Sequence, residues 1–165
     1  MEKHAWAAGA QETLSALSKG AFLTTAGPGK INTMTIGWGN LGYIWGRPVF
    51  LTLVRPSRFT HQLLEAGGEF TVTIPQEDMK EALALCGSMS GREGDKLAAA
   101  GLCVLPSRQI AVPRLACPGR HYECRVVDSC QMDPSRLARD IQGTFYPEGD
   151  YHTLYFGEII EVYQT

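Results

Sequence analysis

Between residues 30 and 39 the chain reads Lys-Ile-Asn-Thr-Met-Thr-Ile-Gly-Trp-Gly, an alternation that predicts a β-strand with two unlike faces. Asn32, Met34, Ile36 and Trp38 share one face, while Ile31, Thr33, Thr35 and Gly37 share the other. Small hydroxyls stand where a buried strand would carry branched aliphatics. They leave room for a flat ligand to approach the backbone and offer it donors and acceptors. Taken alone, the segment reads equally well as a half-buried strand whose threonines face water.

Similar periodicities run through the rest of the chain. Residues 9–18 predict a short helix with Leu14 and Leu17 on one side and Gly20 at its end. Residues 21–25 form an apolar, β-branched run that pairs as a hairpin with 30–38 through the 27–29 Gly-Pro-Gly turn. Residues 48–55 are almost continuously apolar, the pattern of a strand covered on both sides. Pro56 ends that strand, and Ser57 stands as N-cap to a helix over 58–66 that Gly67 and Gly68 close. A strand over 69–74 buries Phe70, Val72 and Ile74, and a helix over 76–86 places Met79, Leu83 and Cys86 on one face. Beyond a glycine- and serine-rich loop come a short helix over 95–100 and a strand over 109–112. A longer strand over 119–131 has Tyr122, Cys124, Val126 and Asp128 facing inward, 133–139 forms a helical turn, and 151–163 is the last strand. Many strands with short helices at irregular connections predict a mainly β protein, a largely antiparallel barrel, in a single domain over residues 1–165.

Composition narrows the partners. A formal net charge of −2 at pH 7 gives no broad attraction to nucleic acid or to an anionic membrane, so any phosphate binding must be local. No stretch approaches the roughly 18 apolar residues of a membrane span, and residues 1–9 lack the apolar centre of a signal peptide, which predicts a cytoplasmic protein. Five cysteines, an odd number without a Cys-x-x-Cys pair, argue against a disulfide framework or a zinc knuckle and read mostly as buried, reduced thiols. His4, His61 and His121 show no metal spacing.

Two segments carry candidate chemistry. Val54-Arg-Pro-Ser-Arg-Phe-Thr60 puts Arg55, Ser57, Arg58 and Thr60 where a buried strand gives way to a helix, and helix-terminal amides with guanidiniums and hydroxyls make a phosphate cradle. An ordinary N-cap flanked by two surface arginines is the competing reading. Cys86-Gly-Ser-Met-Ser-Gly-Arg-Glu-Gly-Asp-Lys96 adds glycines with bare amides, Ser90 and the Lys96 point charge, without the Gly-Lys-Ser/Thr ending of a Walker loop. A flexible connector is the alternative there.

Together, Asn32-Thr-Met-Thr-Ile-Gly-Trp38, Arg55-Pro-Ser-Arg-Phe-Thr60, Glu69-Phe-Thr-Val-Thr-Ile-Pro75, Cys86-Gly-Ser-Met-Ser-Gly91 with Asp95-Lys96, and Gly149-Asp-Tyr-His152 with Gly157-Glu158 resemble, in order, the flavin reductase-like group of FMN-binding split-barrel proteins, of the flavoredoxin kind. The resemblance implies a homodimer of antiparallel split β-barrels with FMN near the subunit interface. It implies that Asn32, Thr33, Met34 and Thr35 line the flavin ring, and that Arg55, Ser57, Arg58 and Thr60 approach the ribityl phosphate. Ser90 and Lys96 would complete the phosphate or ribityl contacts, and Trp38 would border the ring or only the barrel wall.

Cys86 falls beside these flavin-contacting residues in the resemblance, with packing and a redox part as its two readings. His152 matches the Gly-Asp-His element that flavin reductases place near the nicotinamide, with Tyr151 inserted here between Asp150 and His152; a loop hydrogen bond is its other reading. Tyr43, Trp45, Phe145 and Tyr146 suit a dimer contact, a substrate pocket or plain core. The implied activity is hydride or electron transfer through bound FMN, with NADH or NADPH as candidate donor. The alternatives are an electron carrier served by a redox partner protein without NAD(P)H activity, and a barrel that binds a ligand other than flavin.

Overall fold

A computed structural model describes residues 5–27 and 29–165; the reading of the N-terminal segment, His4 and the centre of the 27–29 turn lie outside them. Seven strands form one antiparallel sheet: β1 (Ala21–Gly27), β2 (Lys30–Ile36), β3 (Gly39–Ile44), β4 (Arg47–Val54), β5 (Glu69–Pro75), β8 (Gly119–Gln131) and β9 (Thr153–Gln164). Their order is β2-β1-β5-β8-β9-β4-β3. Two short strands, β6 (Val104–Leu105) and β7 (Arg114–Leu115), pair with each other. Helix α1 (Ala10–Leu17) precedes β1, and the connections hold α2 (Phe59–Gly67), α3 (Lys80–Ser88), α4 (Lys96–Ala99) and α5 (Arg139–Phe145). The expected mainly β architecture with short helices is therefore present. No helix among the described residues is long and apolar enough to cross a membrane.

The sheet curls around Leu23, Phe50, Phe70, Val72, Tyr122 and Tyr155, all buried. A second cluster of Phe22, Leu83, Cys86 and Leu115 lies on the other side of β1, under α3. This double covering decides the ambiguity of β2. Asn32, Thr33 and Met34 are buried in succession, and Thr35 donates to the Leu83 carbonyl at 2.6 Å, so the threonine face meets α3 and α4 rather than water. Thr33 in turn pairs across the hairpin with Thr24, their hydroxyls 3.2 Å apart.

Several expectations are corrected. Residues 109–112 are not a strand, because their surroundings take the amides a ladder would need. The Glu123 carboxylate accepts from the Arg108 and Gln109 amides, each at 2.7 Å, and Glu69 accepts from Ala111 at 3.0 Å. Ser57 does not cap α2; the N-cap is Arg58, with no side-chain cap bond, and the Ser57 hydroxyl is turned to Asp150. The helix expected from residue 76 begins at Lys80, since the Gln76 amide continues the strand pairing by donating to the Pro118 carbonyl. Leu14 is exposed, and Thr13 joins Leu17 on the inner face of α1 through a 2.7 Å bond to Tyr122. Asp128 faces solvent because β8 carries irregularities between Glu123 and Cys124 and between Val126 and Asp128. Trp38 lies beyond the end of β2. All five cysteines are free, but only Cys86 and Cys124 are buried.

Gly157 is where the core tolerates nothing more. It sits buried on β9 opposite Phe50 and Val126, and a Cβ there would enter the Phe70 ring and approach the Cys124 Cβ to 2.9 Å. Gly157→Ala is expected to cost about 1–3 kcal/mol by overpacking, read as a thermal-melting midpoint several degrees lower.

Candidate functional site

Where β2 leaves the sheet beside the C-terminal end of β4, two adjoining cavities open. The first, of 190 Å³, is lined by Met34, Thr35, Ile36, Gly37, Trp38, Leu53, Arg55, Arg58 and His152. The second, of 320 Å³, runs past the start of α2 to the 88–91 loop and includes Ser57, Phe59, Thr60, Ser90, Lys96 and Asp150. Met34, Arg55 and Arg58 line both, so the two form one trough within the usual range of about 300–1,000 Å³ for ligand pockets.

One half of this trough is walled by strand backbone and aromatic rings, with Arg55 and Arg58 shared with the other half. Trp38 packs edge-on against Phe145 with centroids 5.0 Å apart and tilts over His152 at 5.3 Å. His152 is buried, and its Nδ1 lies 2.7 Å from the Tyr146 hydroxyl. The inserted Tyr151 is absorbed by the backbone: Asp150 takes φ 56°, and Tyr151 stacks on Tyr146 and accepts from Gln142 on α5, leaving His152 on the cavity wall. Of the aromatic set noted in the sequence, Tyr146 is buried, whereas Tyr43, Trp45 and Phe145 are exposed.

Burial, helped by the nearby Arg55 charge, pushes the His152 pKa down to about 4, so the ring is neutral at physiological pH. His121, buried between the Thr73 and Thr165 hydroxyls, is likewise pushed down to about 4, again chiefly by burial. In the unfolded chain both would titrate near 6.5. The unfolded state therefore binds more protons between these values, so stability rises with pH there. The contribution is fully present above pH 6.5 and is lost toward pH 4, about 2–3 kcal/mol per histidine. Urea midpoints measured from pH 7 to pH 4 are expected to fall less steeply in His121→Asn than in the native protein.

The other half is polar and cationic. Lys96, at the start of α4 and only 5% exposed, donates to the Thr33 carbonyl at 3.0 Å and the Cys86 carbonyl at 2.9 Å. Burial lowers its pKa, and among the described residues no carboxylate pairs with it. A buried ammonium bonded only to carbonyls is short of negative charge, and it lines the cavity. Thr60 accepts from the Asn32 amide at 2.8 Å, which leaves the Thr60 hydroxyl proton free to point elsewhere. Gly91 closes the loop against this pair; a side chain there would collide with the Asn32 amide and approach Phe59 to 2.9 Å. Arg55 is committed to the chain itself, donating to the Phe145 carbonyl at 2.8 Å and the Asp150 carbonyl at 3.2 Å, with Tyr146 beneath it at 4.9 Å.

The structure thus gathers Met34, Thr35, Arg55, Ser57, Arg58, Thr60, Ser90, Lys96 and His152 around one trough. Asn32 and Thr33 stand behind it, acting through Thr60 and Lys96. The Cys86 thiol lies in the second apolar cluster, with its pKa raised by burial. Sequence reasoning missed Leu53, Phe59, Met89 and Asp150 on the trough walls. Asp150 had a signal, as it lies two residues before His152 in the motif already singled out.

A model of the flavin reductase like domain matches residues 14–165. The chain belongs to that family. The chain is 28% identical over 141 residues to an uncharacterized protein of Archaeoglobus fulgidus, covering 86% of this chain and 70% of that one. Similar solved structures include an FMN-binding protein from Thermus thermophilus with bound 1-cyclohex-2-enone, at TM-score 0.69, 24% identity, 88% of this chain and 69% of the other. The flavoredoxin from Methanosarcina acetivorans matches at TM-score 0.69 and 24% identity, with 88% of this chain and 68% of the other covered. A putative flavin reductase with split barrel domain from Shewanella frigidimarina reaches TM-score 0.71 at 15% identity, with 88% and 66% covered. This flavin reductase-like chain accordingly has the split-barrel fold that its sequence resemblance implied.

Proposed function

We propose that this chain binds FMN along the trough and serves as an oxidoreductase that passes hydride or electrons through it. The observation that carries the reading is the trough's make-up: a wall of strand backbone and aromatic rings at one end, and at the other a buried Lys96 that pairs with no carboxylate among the described residues, with Arg58, Ser57, Thr60 and Asp150 lining the same cavity. A flat ring joined to a phosphate has that same division. The similar proteins from Thermus thermophilus and Methanosarcina acetivorans, described as FMN-binding and as a flavoredoxin, support it.

FMN supplies the redox chemistry when bound. The chain's residues orient it and limit water. Met34 and Thr35 lie on the ring side, with Thr35 held by its bond to Leu83. Asn32 fixes Thr60, and Thr33 fixes Lys96, for the phosphate side. Arg58 and Ser90 add to that side, while Arg55 braces the 145–150 segment between the two. Neutral His152 offers a hydrogen-bonding edge beside the ring, suited to a nicotinamide donor such as NADH or NADPH.

A second reading is an electron carrier reduced and oxidised by a redox partner protein. It is favoured by Tyr151, which departs from the Gly-Asp-His element and packs into the segment bearing His152. A homodimer with flavin near the interface fits Trp38 and Phe145, which are about 40% exposed at the cavity mouth. Five free thiols fit a cytoplasmic, reducing setting.

The test is an absorption spectrum of the purified protein with FMN, followed by NADH or NADPH without air, with light scattering for the dimer. Flavin bands that bleach support the reductase, and bound flavin that stays oxidised supports the carrier. Protein that never takes up FMN overturns both.

A further inference from the structure

The phosphate side of the trough already has an anion on it. The Asp150 carboxylate accepts from the Ser57 hydroxyl at 2.6 Å and from the Ser57 amide at 3.2 Å. It lines the same cavity as Arg58, Thr60, Ser90 and Lys96. Neither nearby guanidinium forms an ion pair with it among the described residues; Arg55 grips the Asp150 carbonyl instead. The backbone fixes this placement, with φ 77° at Gly149 and 56° at Asp150.

A serine hydroxyl has one proton to give. While Ser57 donates to Asp150 it has none for a phosphate oxygen, and two anions at one cradle repel each other. We propose that Asp150 is a specificity-determining residue, an internal anion that competes with a ligand's phosphate for Ser57 and so sets how strongly the trough prefers a phosphorylated flavin over an unphosphorylated one. This inference rests on the flavin reading above. It makes Asp150 a brake on FMN affinity that leaves riboflavin, which lacks the phosphate, untouched. A phosphate that takes Ser57 must turn the half-buried Asp150 carboxylate away, two residues from His152 on the ring side.

The experiment titrates the native protein, Asp150→Asn and Asp150→Ala with FMN and with riboflavin by flavin fluorescence, after thermal melting confirms each variant is folded. Both variants are expected to bind FMN about three- to tenfold more tightly, with riboflavin affinity constant within about twofold. Weaker FMN binding, or an equal shift for both flavins, would make Asp150 only a strut of its loop and overturn the inference while leaving the flavin reading intact. If neither flavin binds the native protein, that reading and this inference fall together. Should neither variant fold, Ser57→Ala decides in the native background. Competition predicts less than a twofold loss of FMN affinity, because Asp150 already holds the proton, and a tenfold loss overturns it.

Discussion

Replacing Lys96 with methionine and Arg58 with alanine in one protein is expected to weaken FMN binding by at least about a hundredfold, while riboflavin binding falls by less than about tenfold. Charge-assisted hydrogen bonds contribute about 1.5–3 kcal/mol each, roughly ten- to 150-fold apiece, and Lys96 sits where such a bond is least screened. Methionine keeps the length and apolar stem, so the change isolates the ammonium and its bonds to the Thr33 and Cys86 carbonyls. Flavin fluorescence titration with both ligands reads the result, and an unchanged ratio of the two affinities would remove the phosphate from this end of the trough. A pH dependence accompanies it. Burial lowers the Lys96 pKa in the free protein, and an arriving phosphate favours the charged form, so FMN affinity is expected to fall as pH rises toward that lowered value and to lose this slope in Lys96→Met.

Glu123→Ala is the second large effect, on stability instead of binding. The fully buried carboxylate accepts from the Arg108 amide, the Gln109 amide and, at 2.8 Å, the Tyr163 hydroxyl. The Tyr163 ring lies 3.7 Å under the Arg108 guanidinium, which joins the loop to β9. Truncation leaves three donors without a partner and a void beneath the loop, a loss of about 3–5 kcal/mol. For a chain of this size that lowers the melting temperature by about 10 °C or more. Glu123→Gln keeps one acceptor but turns a donor toward an amide, and is expected to fall between the two. Glu123 is not on the trough walls, so flavin affinity is expected to persist in both variants. A melting curve within 2 °C of native for Glu123→Ala would show that the loop is held by other contacts.

The same Glu123 shows why one reading of the sequence failed. Residues 109–112 look like a strand, but carboxylates 14 and 42 residues away, Glu123 and Glu69, claim the Gln109 and Ala111 amides. Local pattern carries no information about a partner so distant. Ser57 is the matching case: its position before a helix is that of a cap, and only the fold brings Asp150 close enough to take its hydroxyl. β3 and α5 were also unread, since Gly39–Ile44 pairs only through β4 and Arg139–Phe145 has no buried side chain to mark a face.

What the sequence determined by itself was six of the seven strands of the main sheet and the residue types of the trough. Strand periodicity, turn glycines and the 55–60 and 86–96 segments are local properties, written in consecutive residues, and they sufficed for a mainly β chain of the flavin reductase-like kind. Tertiary structure alone decided the division of labour among those residues. Whether Thr33 faces water or Lys96, whether Arg55 meets a ligand or braces a loop, and whether Ser57 is free all depend on which groups arrive from 63 to 95 residues away. Hydrogen bonding is saturable and directional, so only the assembled fold assigns each donor its acceptor.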